Sequence, residues 1–191
     1  MRKKLITAIV ALSLVLCCLV GGTLAWIVDD TEPVINTFTY GDINIKLEET
    51  DSEQDTDNND NTNSYKMIPG STITKDPKVT VMAGSEACWL FVKIEKSLNY
   101  GTYLKEYEVA DGWTKLEDGV YYREVTANAT KNQEFTVLAN NQVTVLESVT
   151  KQLMEAIKTN GQPTLTFTAY AVQKDNVEKA ADAWAIINPT T

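Results

Sequence analysis

Apolar and polar residues alternate along much of this chain. Phe38 and Tyr40 alternate with threonines, and Ile43, Ile45 and Leu47 alternate with Asp42, Asn44, Lys46 and Glu48. A period of two is that of a half-buried strand. The apolar phase moves from even to odd positions across Gly41-Asp42, which predicts a bulge or bend inside one long strand. Val79 and Val81 repeat the alternation. Residues 88–95 predict a strand whose even face (Cys88, Leu90, Val92, Ile94) is apolar. Its odd face, Trp89, Phe91, Lys93 and Glu95, is covered at one end and wet at the other. Residues 113–116 and 120–125 flank Glu117-Asp118-Gly119 and predict a hairpin, with Asp-Gly supplying the left-handed residues. Residues 135–138 and 143–146 flank Ala139-Asn140-Asn141-Gln142 and predict a second. In residues 164–172, Leu165, Phe167, Ala169 and Ala171 share one face, and three threonines and Tyr170 the other.

Two segments carry helical spacing instead. Val149, Leu153, Ala156 and Ile157 follow i, i+4, i+7, i+8, with Ser148 as the expected N-cap and Gly161 just past the end. Asn176 is the expected cap of a second helix bearing Val177, Ala180, Ala181 and Trp184. Helix faces packed on a sheet edge explain these stripes. About eight strands with turn signals between them predict a mainly β protein, an antiparallel β-sandwich with two short appended helices. Residues 49–64 contain no apolar residue, so they are expected to form a mobile loop outside the core. Asp55-x-Asp57-x-Asn59 begins like an EF-hand loop, but Asp60 stands where Gly is required and Lys66 where Glu is required. A solvated loop is the expectation there, not a calcium site.

The N-terminus carries a different pattern. Arg2, Lys3 and Lys4 precede an apolar run broken only by Thr7 and Ser13, and Thr23-Leu24-Ala25 supplies small residues for a signal peptidase. Cleavage is expected between Ala25 and Trp26, giving a signal peptide of residues 1–25 and a single domain of residues 26–191. The competing reading is an uncleaved anchor, because residues 5–28 carry no charge and are long enough to span a bilayer. Gly21, Gly22 and Thr23 interrupt that run where an anchor should continue. A lipoprotein reading through Cys17 or Cys18 lacks the small residue that should precede the modified cysteine.

Composition then removes function classes. The chain has 17 basic and 26 acidic residues. The signal takes three basic residues and no acidic one, leaving 14 minus 26, a formal −12. Only Arg123 remains as arginine, so nucleic acid is disfavoured as a partner. There is no histidine, which removes Ser-His-Asp and Cys-His mechanisms and the histidine-bearing zinc motifs. Cys88 is the one cysteine beyond the signal, so an intramolecular disulfide is excluded there, and its apolar neighbours predict a buried thiol. Neither an enzyme, a metal nor a cofactor is expected.

Gly21-Gly22-Thr23-Leu24-Ala25-Trp26, followed by residues 36–48, resembles the start of the TasA/camelysin family of exported Gram-positive proteins. Pro69-Gly70-Ser71 leading into residues 75–81 is similar to the segment that follows in many members. So is the close, Ala169-Tyr170-Ala171-Val172-Gln173 and Ala180-Ala181-Asp182-Ala183-Trp184. The resemblance implies a jelly-roll-like sandwich preceded by a signal helix, processing by a SipW-type signal peptidase, and a place in the extracellular biofilm matrix or at the cell surface, with membrane contact only through the uncleaved signal. It also implies fibre assembly by a donor strand. The residues suited to that role are Trp26, Ile27, Val28, Val34, Ile35 and Phe38. Asp29, Asp30 and Glu32 interrupt them, and Pro33 cannot donate a ladder hydrogen bond. The alternatives are that this segment folds back on its own sandwich, that the protein is a non-polymerising surface or adhesion domain, or that it is a camelysin-like surface protease. The missing histidine weighs against the last.

Overall fold

A computed structural model describes residues 42–50 and 63–189, which fall in one compact unit, Tyr40–Thr191. The expected signal segment, the expected peptidase junction at Ala25 and Trp26, the expected donor-strand residues Ile27, Val28, Val34, Ile35 and Phe38, and the EF-hand-like stretch lie outside the described residues. So does the proposed bend at Gly41.

The fold is mainly β, with antiparallel sheets. The strands are β1 (Ile45–Glu48), β2 (Thr72–Thr74), β3 (Lys78–Val81), β4 (Cys88–Lys96), β5 (Thr114–Glu117), β6 (Val120–Val125), β7 (Gln133–Thr136), β8 (Gln142–Thr144) and β9 (Leu165–Gln173). Three helices accompany them among the described residues: α1 (Tyr100–Tyr103), α2 (Lys151–Asn160) and α3 (Ala180–Ile187). The strands form a sheet ordered β1-β3-β7, a pair β2-β8, and a four-stranded sheet ordered β5-β6-β4-β9.

Strand β4 explains how these parts pack. Its even residues Cys88, Leu90, Val92 and Ile94 join Val79 and Val81 of β3 in one core, with Ile45, Leu47, Phe135, Phe167 and Ala169 packed around them. The three-stranded and four-stranded sheets therefore share an apolar interior. Trp89 and Phe91, on the odd face, form a second core with Val120, Ala180, Ala183 and Trp184, so α3 covers the other side of the larger sheet. Lys93 and Glu95 continue that face into solvent and pair at 2.8 Å, as the sequence pattern predicts. A third cluster joins Tyr100, Tyr103 and Leu104 to Val145 and Val149, with Leu153 and Ile157 of α2 against it.

The first hairpin forms as expected. Glu117 pairs with Val120, and the ladder shifts register between Lys115 and Glu117. Of the two turn residues only Gly119 has a positive φ, +72°, and a β-carbon there would stand 2.7 Å from the Ile94 carbonyl oxygen. Gly119→Ala should therefore destabilise the protein by about 2 kcal/mol or more. Urea denaturation checks this against Gly101→Ala, where a β-carbon meets open space and little change is expected.

The second hairpin does not exist. β7 pairs with β3, Lys78 opposite Thr136, and β8 pairs with β2, Thr74 opposite Gln142. The chain from 133 to 144 thus runs antiparallel to residues 72–81 without reversing. Between the two ladders, residues 75–77 face the longer stretch 137–141, held by Lys75 N–H to the Asn141 carbonyl and Val137 N–H to the Pro77 carbonyl, at 2.8 and 2.9 Å. Asn140 and Asn141, at φ 55° and 51°, absorb the excess as a bulge. Left-handed asparagines serve a bulge as readily as a turn.

Both helix caps also move. Thr150, not Ser148, caps α2 by accepting the Leu153 N–H, which places Val149 outside the helix; Gly161 ends it as predicted, at φ 82°. Val149 and Met154 then lie in one cluster across the cap, in the manner of a hydrophobic staple. Lys179 rather than Asn176 precedes α3, and Asn176 sits at φ 64° in the turn before it. The buried stripe of α3 consequently reads Ala180, Ala183 and Trp184, and Ala181 is exposed.

Candidate functional site

A sheet exposes function at its edges as well as its faces, because an edge strand presents unpaired N–H and C=O groups. Among the described residues the two larger sheets have four edge strands, β1 and β7 of one and β5 and β9 of the other. β5 is short, bulged at its middle, and carries Lys115 and Glu117. β7 carries Glu134, ion-paired to Lys78 at 3.1 Å, and its Thr136 carbonyl accepts the Trp113 indole N–H at 2.8 Å. Beyond β7, Ala110 N–H reaches the Val137 carbonyl and Ala139 N–H the Glu108 carbonyl, both at 2.9 Å. Charge, curvature and local cover thus blunt both edges.

β9 has none of these devices. Its nine residues, Leu-Thr-Phe-Thr-Ala-Tyr-Ala-Val-Gln, include no charge, no proline and no glycine. Its ladder with β4 runs unbroken from Cys88–Gln173 to Lys96–Leu165. Lys174 N–H bonds the Ala87 carbonyl and Ser97 N–H the Thr164 carbonyl, so even-numbered residues turn their backbone groups toward β4. Antiparallel alternation then points the N–H and C=O groups of Leu165, Phe167, Ala169, Ala171 and Gln173 away from it. No ladder partner takes them among the described residues. β1 lies next to β9, and the Met82 N–H to Asn44 carbonyl bond gives β1 the same phase, with the backbone groups of Ile45 and Leu47 directed away from β3.

A polar clamp ties this region down. Glu49, just past β1, accepts the Lys75 ammonium at 3.0 and 2.9 Å through its two carboxylate oxygens, and the Tyr65 hydroxyl donates to Glu49 Oε1 at 2.8 Å. The pair is largely buried, its side chains 11% exposed for Lys75 and 18% for Glu49. Lys75 Nζ also lies 5.2 Å from the Tyr65 ring centre and 5.4 Å from that of Phe167 on β9. Asp76 accepts the Thr50 N–H and hydroxyl at 3.0 and 2.7 Å, and Asn63 donates to the Thr50 carbonyl. The two ends of the acidic segment are therefore pinned side by side on one β2–β3 connection. Glu49 was expected in a solvated loop. Its burial against Lys75 corrects that expectation, because a carboxylate can leave water when an ammonium and a hydroxyl replace the lost hydrogen bonds. No local signal marks this clamp, whose members are 16 and 26 positions apart in sequence.

The chemistry available elsewhere is sparse. The Cys88 thiol is fully buried, and desolvation pushes its pKa up to about 11, so little reactive thiolate forms near neutrality. Alkylation of the native protein at Cys88, mapped by peptide mass, should run on the order of a hundredfold slower than for a free thiol. It should recover in denaturant; rapid native labelling would contradict a core position. The Tyr100 hydroxyl is enclosed without a partner, and burial, with the Glu106 charge secondary, raises its pKa to about 12. Among the described residues no three of His, Cys, Asp and Glu group to hold a metal ion, and no helix is long and apolar enough to cross a membrane. A depression of about 510 Å³ is lined by Ser64, Tyr65, Lys66 and Gln162.

Compared with known proteins, the chain matches no family model, no curated protein and no solved structure.

Proposed function

We propose that this protein is an exported, self-associating structural subunit of a biofilm matrix or cell surface, built as a jelly-roll-like sandwich and joined copy to copy by strand addition. The observation that carries this reading is the nine-residue, uncharged edge of β9, with outward backbone groups that no described residue takes up. Backbone pairing supplies affinity in such an arrangement, and alternate side chains set register. The donor is the apolar segment 26–38 of a second copy, freed by cleavage after Ala25. No catalytic role is assigned, since the chain lacks histidine and the Cys88 thiol is buried.

The test compares secreted protein, verified by N-terminal sequencing to begin at Trp26, with a form lacking residues 26–35. The longer form is expected to elute as oligomers and to show fibres by negative stain, and the shorter as a folded monomer. Identical behaviour would sink strand addition and favour a non-polymerising surface domain. Casein digestion that copurifies with the protein and is abolished by a chelator would instead support a protease.

A further inference from the structure

We infer that Arg123 forms a binding site for a carboxylate group, held between the edges of the two sheets. Arg123 projects from β6 on the same face as Tyr121 and Val125, toward the core shared with β7. Its guanidinium carbon lies 3.9 Å from the ring centre of Phe135 on β7 and 5.3 Å from that of Trp113, just before β5. Among the described residues no carboxylate, hydroxyl or carbonyl takes any of its N–H groups, and its Nε is enclosed without a partner. Among the described residues the other cations that lie over aromatic rings each hold a carboxylate: Lys75 has Glu49, Lys96 has Glu106 and Lys174 has Glu124. Arg123 has the ring contacts without the acid.

The slot is also built for this side chain. Gly112 has φ +86°, and a β-carbon there would stand 2.9 Å from Arg123 Nη2, so glycine leaves room for the guanidinium. The Trp113 indole is fixed by its 2.8 Å bond to the Thr136 carbonyl. Burial lowers the Arg123 pKa, which fits a charge lacking compensation; the residue stays protonated nonetheless. A planar guanidinium offers its edge as a fork, and a carboxylate fills that fork with two parallel hydrogen bonds. Trp113 adds an apolar wall for whatever carries the acid. Exposed Asp111, next in sequence to Gly112, opposes a multiply charged anion, so a single carboxylate is favoured over phosphate.

The acid can come from a free carboxylic acid, an acid sugar included, or from an Asp or Glu of a second copy. The full chain, labelled with nitrogen-15, is titrated with acetate, glucuronate and inorganic phosphate at constant ionic strength, reading the Trp113 indole N–H resonance. A saturable shift with either carboxylate, weaker by at least about tenfold with phosphate, is expected. Arg123→Lys keeps the charge but not the fork and should lose about tenfold in carboxylate affinity. In parallel, sedimentation of wild type, with and without acetate, and of Arg123→Gln reads the other source. Association that weakens in both cases assigns the carboxylate to a second copy. The wild-type titration does not depend on a variant folding. An unmoved Trp113 signal together with association indifferent to Arg123 and acetate overturns the site, and so does phosphate binding as tightly as carboxylate.

Discussion

Phe91→Ala is expected to lower stability by about 3–5 kcal/mol, the range for emptying a fully buried aromatic site. Phe91 has no exposed surface and sits on β4, an inner strand of the larger sheet. Its ring centre lies 5.3 Å from that of Trp184 on α3 and 6.3 Å from that of Tyr122 on β6. Truncation therefore removes the surface on which α3 rests as well as the ring's own burial. Trp89 and Tyr170 hold their places around the gap, so the void cannot collapse fully. Chemical denaturation gives the magnitude, and tryptophan fluorescence should report loosening around Trp184 before global unfolding. Leu98→Ala is the control, since Leu98 is fully exposed and its loss should change stability by less than about 0.5 kcal/mol. A Phe91→Ala cost below about 1 kcal/mol would mean that α3 does not pack on this face.

Glu49→Ala is the second large effect, expected at about 2–3 kcal/mol. Removing one member of a buried ion pair strands the other, which costs about 3–5 kcal/mol when burial is complete; the partial exposure of Glu49 and Lys75 trims that figure. The stranded group is the Lys75 ammonium between Tyr65 and Phe167, whose ring faces compensate only in part. At about 2–4 °C per kcal/mol for a chain of this size, the melting temperature should fall by roughly 4–12 °C. A double variant, Glu49→Leu with Lys75→Met, should recover much of the loss, because apolar replacements leave no charge behind. By contrast, Asp118→Ala removes the exposed partner of Lys115 and should cost no more than about 0.5 kcal/mol. Because the clamp joins the end of β1 to Phe167, hydrogen exchange in β9 should rise in Glu49→Ala more than in β6. If single and double variants were equally unstable, the pair's charge would not be what matters there.

The residues that drive these two effects differ in how visible they are along the chain. Phe91 belongs to an alternation that states, without any structure, which residues of β4 share each face. The same holds for Val79 and Val81 and for the Phe167 and Tyr170 faces of β9. Helix α2 is equally legible to within two residues, because a stripe at 3.6 spacing and a glycine stop depend only on neighbours a turn apart. The absence of histidine and the single cysteine beyond residue 18 bound the chemistry by composition alone.

Which strand lies beside which was decided elsewhere. Asn140-Asn141 carries the local marks of a reversal, yet β7 and β8 find their partners in β3 and β2, about 60 to 70 positions away by the paired residues Lys78–Thr136 and Thr72–Thr144. Alternation encodes a face and not a neighbour. Pairing is selected by the burial that the whole sheet achieves, a quantity summed over distant segments. The same reason hides the clamp, since Glu49 sits in an acidic stretch and meets its ammonium only when β1 and the β2–β3 connection come together. It hides the open edge as well: the composition of β9 is local, but its place as the last strand of the sheet is a property of the tertiary fold.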